Sequence, residues 1–115
     1  MPSSKRSDPF EALANPTRRA ILALLRDEPG LPAGEIAARF PAVSRPAISR
    51  HVAVLRGAGM VQARTSGREA RYKVVPGSLL PARDWLAEFD AMLEGSLGRL
   101  KAVVEGGGDV LNSRE

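Results

Sequence analysis

The stretch Val43-Ser44-Arg45-Pro46-Ala47-Ile48-Ser49-Arg50-His51-Val52-Ala53-Val54-Leu55-Arg56-Gly57-Ala58-Gly59 decides the fold. It reads as a short helix with one apolar face and one small, polar, basic face. Ser44 caps its start, because a serine oxygen accepts from first-turn amides that lack a partner inside the helix. Pro46 stands early, where a missing N–H costs little. Gly57 and Gly59 offer a stop, since glycine reaches positive φ without strain. At 100° per residue, Ile48, Val52 and Leu55 fall together. Pro46, Ser49, Arg50 and Ala53 lie opposite, with Arg45 and Arg56 between the two faces. An ordinary surface helix carries long Glu and Lys side chains on its wet side. This one carries small residues flanked by arginines, and no acid. Such a face suits a groove lined with phosphates.

Immediately upstream, Ala33 to Phe40 reads as a short helix with Ile36 and Phe40 turned inward, and Pro41-Ala42-Val43 as a tight turn. The two helices then form a helix-turn-helix. Further back, Asp8 caps a first short helix to Ala14, with Pro9 at its first position. Asn15-Pro16 repeats that start for a helix from Thr17 to Asp27, whose Ile21, Leu24 and Leu25 share a face. Pro29-Gly30 stops it, and Leu31-Pro32 reads as a connector or one extended stretch.

Downstream, Val61, Ala63 and Thr65 alternate with more polar neighbours, as do Ala70, Tyr72 and Val74. Ser66-Gly67 between them signals a hairpin. Pro76-Gly77-Ser78 then opens an expected helix from Leu79 to Glu105, about 40 Å long at 1.5 Å per residue. Its apolar stripe runs through Leu86, Phe89, Leu93 and Leu100 and is widened by Trp85, Met92 and Leu97. One hairpin and a few small helices cannot cover so much apolar surface, so a second copy is expected to bury it. Residues 1–7 and 106–115 read as flexible tails around a single domain over 8–105.

Charge is unevenly placed. Between Ser44 and Lys73, seven cations (Arg45, Arg50, Arg56, Arg64, Arg68, Arg71 and Lys73) face Glu69 alone, a net charge of +6. Between Leu79 and Glu105, Arg83, Arg99 and Lys101 face Asp84, Glu88, Asp90, Glu94 and Glu105, a net charge of −2. A surface without a partner mixes its signs, so the segregation points to a polyanion at the middle of the chain. The 115 residues hold no cysteine, which excludes disulfides and thiolate metal sites and fits a reducing cytoplasm. No apolar run reaches the roughly 20 residues that span a bilayer, and the N-terminus lacks the apolar segment of a signal peptide, so no membrane partner is expected.

The order helix, helix, helix-turn-helix, hairpin, long helix (α-α-α-α-β-β-α, mainly α with a small β-hairpin) is that of a winged helix. Three pieces resemble the ArsR family of bacterial winged-helix repressors. They are Phe10-Glu11-Ala12-Leu13-Ala14-Asn15-Pro16-Thr17-Arg18-Arg19, the Val43–Leu55 segment followed by Ala58-Gly59-Met60-Val61, and the hairpin Gly67-Arg68-Glu69-Ala70-Arg71-Tyr72. The resemblance implies a homodimer that represses transcription, with the first and last helices forming the interface. That places Phe10, Leu13, Trp85, Leu86, Phe89, Met92, Leu93, Leu97 and Leu100 in it. Metal-sensing members carry a Cys-x-Cys in the helix-turn-helix region, or carboxylate and histidine pairs on the last helix. Here the matching region is Glu35-Ile36-Ala37-Ala38-Arg39, and the last helix has no histidine. The chain therefore resembles the non-metal branch, in which the effector is a small molecule, a redox signal or absent. A thiol redox signal is excluded, and no cofactor or bound metal is expected.

Ser49 and Arg50 are the expected base readers, since arginine pairs in two places with guanine O6 and N7 in the major groove. Arg45 reaches bases or phosphate. Ser44 caps the helix and can also read, and Pro46 either touches a thymine methyl or only starts the helix. His51, at the rim of the apolar face, lacks partners for a metal and is expected to contact phosphate or hydrogen-bond locally. Arg56, Arg64, Arg68 and Arg71 are expected on phosphates, with Arg68 nearest the hairpin tip. No nucleophile–base pair, paired acids or phosphate-cradling glycine loop appears, so an enzyme is not expected. Two competing readings keep the fold and change its use. One is a protein-interaction module, the other a DNA binder indifferent to sequence.

Overall fold

A computed structural model of the chain describes residues 8–95. Two compact units emerge, one ending at Pro81 and the other beginning at Ala82.

The first unit starts with α1 (Pro9–Leu13) and α2 (Pro16–Asp27). The Asp8 carboxylate accepts from the Phe10 N–H at 2.9 Å. Pro16 disfavours helical geometry at Asn15, which sits extended at φ −95° and ψ 127°. The Asn15 side-chain oxygen accepts from the N–H groups of Thr17 (2.8 Å) and Arg18 (3.1 Å). Two helices form where periodicity alone would permit one.

Leu31-Pro32, expected as a connector or extended piece, forms a third strand, β1. It pairs antiparallel with β3 (Glu69–Val74), Leu31 opposite Tyr72, and the sheet order is β1-β3-β2. Pro32 has no N–H to donate, and an edge position tolerates that. Helix α3 is shorter than expected, Ala33–Ala38, because Arg39 and Phe40 donate to Ile36 and Ala37 in i→i−3 bonds that tighten the last turn.

Helix α4 spans Arg45–Gly57, with the Ser44 hydroxyl accepting from the Ala47 N–H at 3.2 Å. Gly57 stays inside the helix and Gly59 ends it. The Gly59 N–H donates to Arg56, the Met60 N–H reaches back to Leu55 at 2.9 Å, and Gly59 takes φ +77°. This is the Schellman arrangement, in which only glycine meets the backbone demand without strain. Strand β2 (Val61–Ser66) follows, joined to β3 by Gly67-Arg68. Gly67, at φ +67°, holds the first central position of the turn, one residue later than the expected Ser66-Gly67. The core gathers Ile21 and Leu25 of α2, Ile36 of α3, Ile48 and Leu55 of α4, and Met60, all less than 2% exposed. At the surface Arg39 closes both nitrogens on Glu28, at 2.6 and 2.8 Å, joining the ends of α3 and α2.

The continuous helix expected from Leu79 is not seen. Pro76–Leu79 is a 3₁₀ turn, α5 covers Leu80–Ala87, residues 88–89 turn, and helix resumes over 90–95. At the break, the N–H groups of Glu88 and Phe89 donate to Trp85 and Leu86, three residues back instead of four. Leu97, Leu100, the expected remainder to Glu105 and both expected tails lie outside the described residues. Among the described residues no helix is long and apolar enough to cross a membrane.

Candidate nucleic-acid interface

Helix α4 divides as its spacing requires. Ile48, Val52 and Leu55 are buried in the core, while Ser44, Arg45, Pro46, Ser49, Arg50, Ala53 and Arg56 are exposed. Helix α3 and the Pro41–Val43 turn lie directly before it, the turn closed by the Val43 N–H on Phe40 at 2.9 Å. The helix-turn-helix therefore stands as read, with its polar side turned outward.

Arg64 and Arg68 belong to the hairpin, and Arg68 is exposed at its tip. A cleft of about 390 Å³ separates the hairpin from the start of α4, with Arg45 on one wall and Arg68 on the other. Glu35, Glu69 and Tyr72 complete much of its lining. Gly34 keeps one wall low, since a Cβ there would stand 3.1 Å from an Arg45 guanidinium nitrogen. Among the described residues the ion pairs are Arg26–Asp27, Arg39–Glu28, Arg71–Glu69 and Arg83–Asp84. Arg45, Arg50, Arg56, Arg64 and Arg68 belong to none of them. Five guanidiniums without an ion pair among the described residues, on one helix and its neighbouring hairpin, give a positive field that suits an external polyanion.

Besides Ser44, whose hydroxyl caps α4, two residues of the expected surface have internal partners. Arg71 donates to the Gly30 carbonyl at 3.0 Å and meets Glu69 at 3.2 Å, so it clamps β3 to the turn before β1. His51 is half-buried, its Nδ1 lying 3.3 Å from an Arg18 guanidinium nitrogen. Burial and the charges of Arg18 and Arg50 hold the imidazole below its ordinary pKa, burial being the largest cause.

Sequence reasoning does not single out Arg18. It donates to the carbonyls of Ala12 (2.8 Å) and Glu11 (3.1 Å), while Arg19 donates to Leu13 at 2.7 Å. These carbonyls lie in the last turn of α1, where acceptors lack a full set of intrahelical partners; that of Glu11 also accepts from the Ala14 N–H at 3.2 Å. A signal was available: two cations in the first turn of α2 oppose its macrodipole, so they need a local anion or acceptor to justify them.

In the second unit, Trp85, Leu86, Phe89, Met92 and Leu93 are exposed, Met92 by 69%. The Trp85 and Phe89 rings pack tilted, with centroids 4.8 Å apart. In the first unit Phe10 is 42% exposed and Leu13 packs partly against the core. Among the described residues no three His, Cys, Asp or Glu side chains gather as metal ligands.

A helix-turn-helix followed by a two-stranded hairpin, with basic residues on both, defines a winged helix-turn-helix protein. A family model described as a helix-turn-helix domain matches residues 13–62. The chain is 42% identical over 80 residues to the HTH-type transcriptional regulator Rv2034 of Mycobacterium tuberculosis, covering 70% of this chain and 73% of that one. It is 34% identical to the transcriptional repressor SdpR of Bacillus subtilis, again over 80 residues, 70% of this chain and 87% of SdpR. Among solved structures, an ArsR-like transcriptional regulator from Rhodococcus sp. RHA1 superposes with a TM-score of 0.64 at 34% identity, covering 84% of this chain and 87% of that one. The chain belongs to the ArsR family of winged-helix transcriptional regulators.

Proposed function

We propose that this chain is a cytoplasmic, homodimeric, sequence-specific DNA-binding repressor. Helix α4 enters the major groove of an inverted repeat, with Ser49 and Arg50 at the base edges. The two half-sites lie about one helical turn apart. The hairpin over 64–71 rests on the flanking groove or backbone, with Arg64 and Arg68 on phosphates. Arg45 and Arg56 hold the backbone on either side of the helix, and Ser44 and Pro46 fix its start. Residues 8–105 act as one DNA-binding and dimerisation domain.

The observation that carries this reading is the division of α4: one side locked into the core, the other small, exposed and lined by arginines that form no ion pair among the described residues. The repressor named among its relatives supports the direction of regulation. The exposed apolar side chains over 85–93 support a second copy as partner, since a patch of this kind is rarely left to water. The absence of cysteine supports the non-metal branch, and the effector is a small molecule or none.

Titration of a labelled duplex from upstream of its own gene, with random duplex as competitor, tests the reading. A sequence-specific repressor holds the upstream duplex against excess random DNA. Equal affinity for both makes it a sequence-indifferent binder, and binding to neither makes it a protein-interaction module.

A further inference from the structure

His51 is the chain's one histidine, and Arg18 is the side chain that meets its Nδ1. A guanidinium has five donors and no acceptor, and it does not deprotonate in proteins. Nδ1 must therefore accept, which leaves the imidazole proton on Nε2. The guanidinium itself is held from the other side by the carbonyls of Ala12 and Glu11. Three partners on three different guanidinium nitrogens leave Arg18 little freedom to swing away. A chain of hydrogen bonds thus runs from the end of α1 through α2 to α4.

We propose that Arg18 is a positioning residue for DNA binding: it locks His51 into the tautomer whose single N–H, on Nε2, donates to a phosphate. This rests on the DNA-binding reading above. His51 is half-buried on α4, between the buried Ile48–Val52–Leu55 face and the exposed face of Ser49 and Arg50 that the proposed function turns toward DNA. Free neutral imidazole exchanges between two tautomers, and only one can donate from Nε2. The lock holds only while the ring is neutral. A proton on Nδ1 would set two donors against each other, and the charged groups around the ring, Arg18 of α2 and Arg50 of α4, are both cations. The depressed imidazole pKa agrees with that arrangement.

A single histidine makes the test direct. Long-range ¹H–¹⁵N spectra of the DNA-free protein at neutral pH are expected to show one fixed tautomer, Nδ1 bare and Nε2 protonated. In Arg18→Met the two ring nitrogens should move to averaged positions and the titration midpoint should rise. Arg18→Lys, which keeps the charge without the fork, should fail to restore the fixed pattern. Arg18→Met and His51→Ala should each weaken binding to a random duplex about ten- to a hundredfold, the range of two hydrogen bonds, one from each protomer of the dimer. The double variant should be no weaker than either single one, because both remove the same contact. Averaged tautomers in the wild type overturn the proposal. So do losses that multiply in the double variant, or Arg18→Lys binding DNA as the wild type does. If Arg18→Met fails to fold, His51→Ala and Arg18→Lys still decide. Wild-type protein that binds no DNA overturns the phosphate contact together with the DNA-binding reading. The tautomer, read without DNA, separates that failure from failure of the Arg18 link.

Discussion

Arg50 and Arg71 are the same residue type in the same basic segment, and the fold uses them differently. Arg50 extends from α4 without an ionic partner, while Arg71 is tied to Gly30 and Glu69. Counting charge along the chain finds both and cannot separate them. The difference depends on β1, whose pairing brings the Gly30 carbonyl beside β3, and a two-residue strand leaves almost no periodic trace. His51 carries a prediction of its own. Its native pKa lies below the ordinary 6.5, so the unfolded state binds the proton more readily. Stability should be level above neutrality and fall as pH drops through 6.5 toward the depressed native value. His51→Gln should flatten that part of the curve. Urea unfolding at stepped pH measures it, and an unchanged slope in the variant would mean that another group titrates there.

Elements were legible where a cap or a stop is encoded by one residue type. Asp8, Asn15 and Ser44 each accept from the first turn they precede. The interruption of the last helix at residues 88–89 was not legible, since Glu88 and Phe89 carry no breaker and the apolar spacing continues through them. Gly57 and Gly59 looked equivalent as stops, and the Schellman bonds choose Gly59. That choice is testable. Gly59→Ala forces a side chain into φ +77° and should cost about 1–2 kcal/mol of stability, read from the denaturation midpoint. Gly57→Ala, inside the helix, should be neutral or mildly stabilising. Equal losses at the two positions would contradict the assigned helix end.

At the scale of the molecule, the proposed function divides two roles between the basic middle, which would hold DNA, and the apolar C-terminal segment, which would hold a second copy. The outward face of α4 was readable within Val43–Gly59, and the family and the winged-helix order from that stretch together with Phe10–Arg19, the intervening helices and the hairpin to Tyr72. The Arg18 link was not, because its partners lie on separate elements and no spacing joins them. Leu86 is half exposed, and a charge there should disfavour a dimer without disturbing the core of the first unit. Leu86→Glu should sediment as a monomer and lose most of its affinity for an inverted repeat. A variant that stays dimeric would place the interface elsewhere.

The central claim is that the outward face of α4 reads base sequence. The most direct measurement is the affinity of Arg50→Ala for the upstream duplex and for a random duplex, each taken over a range of salt. The predicted result is a loss of about 1–3 kcal/mol per half-site on the upstream duplex, with relaxed preference at one base pair of each half-site and little change on random DNA. An equal loss on both, with the salt slope falling by about 1.8 for two phosphates, one per protomer, would contradict it and make Arg50 a backbone contact.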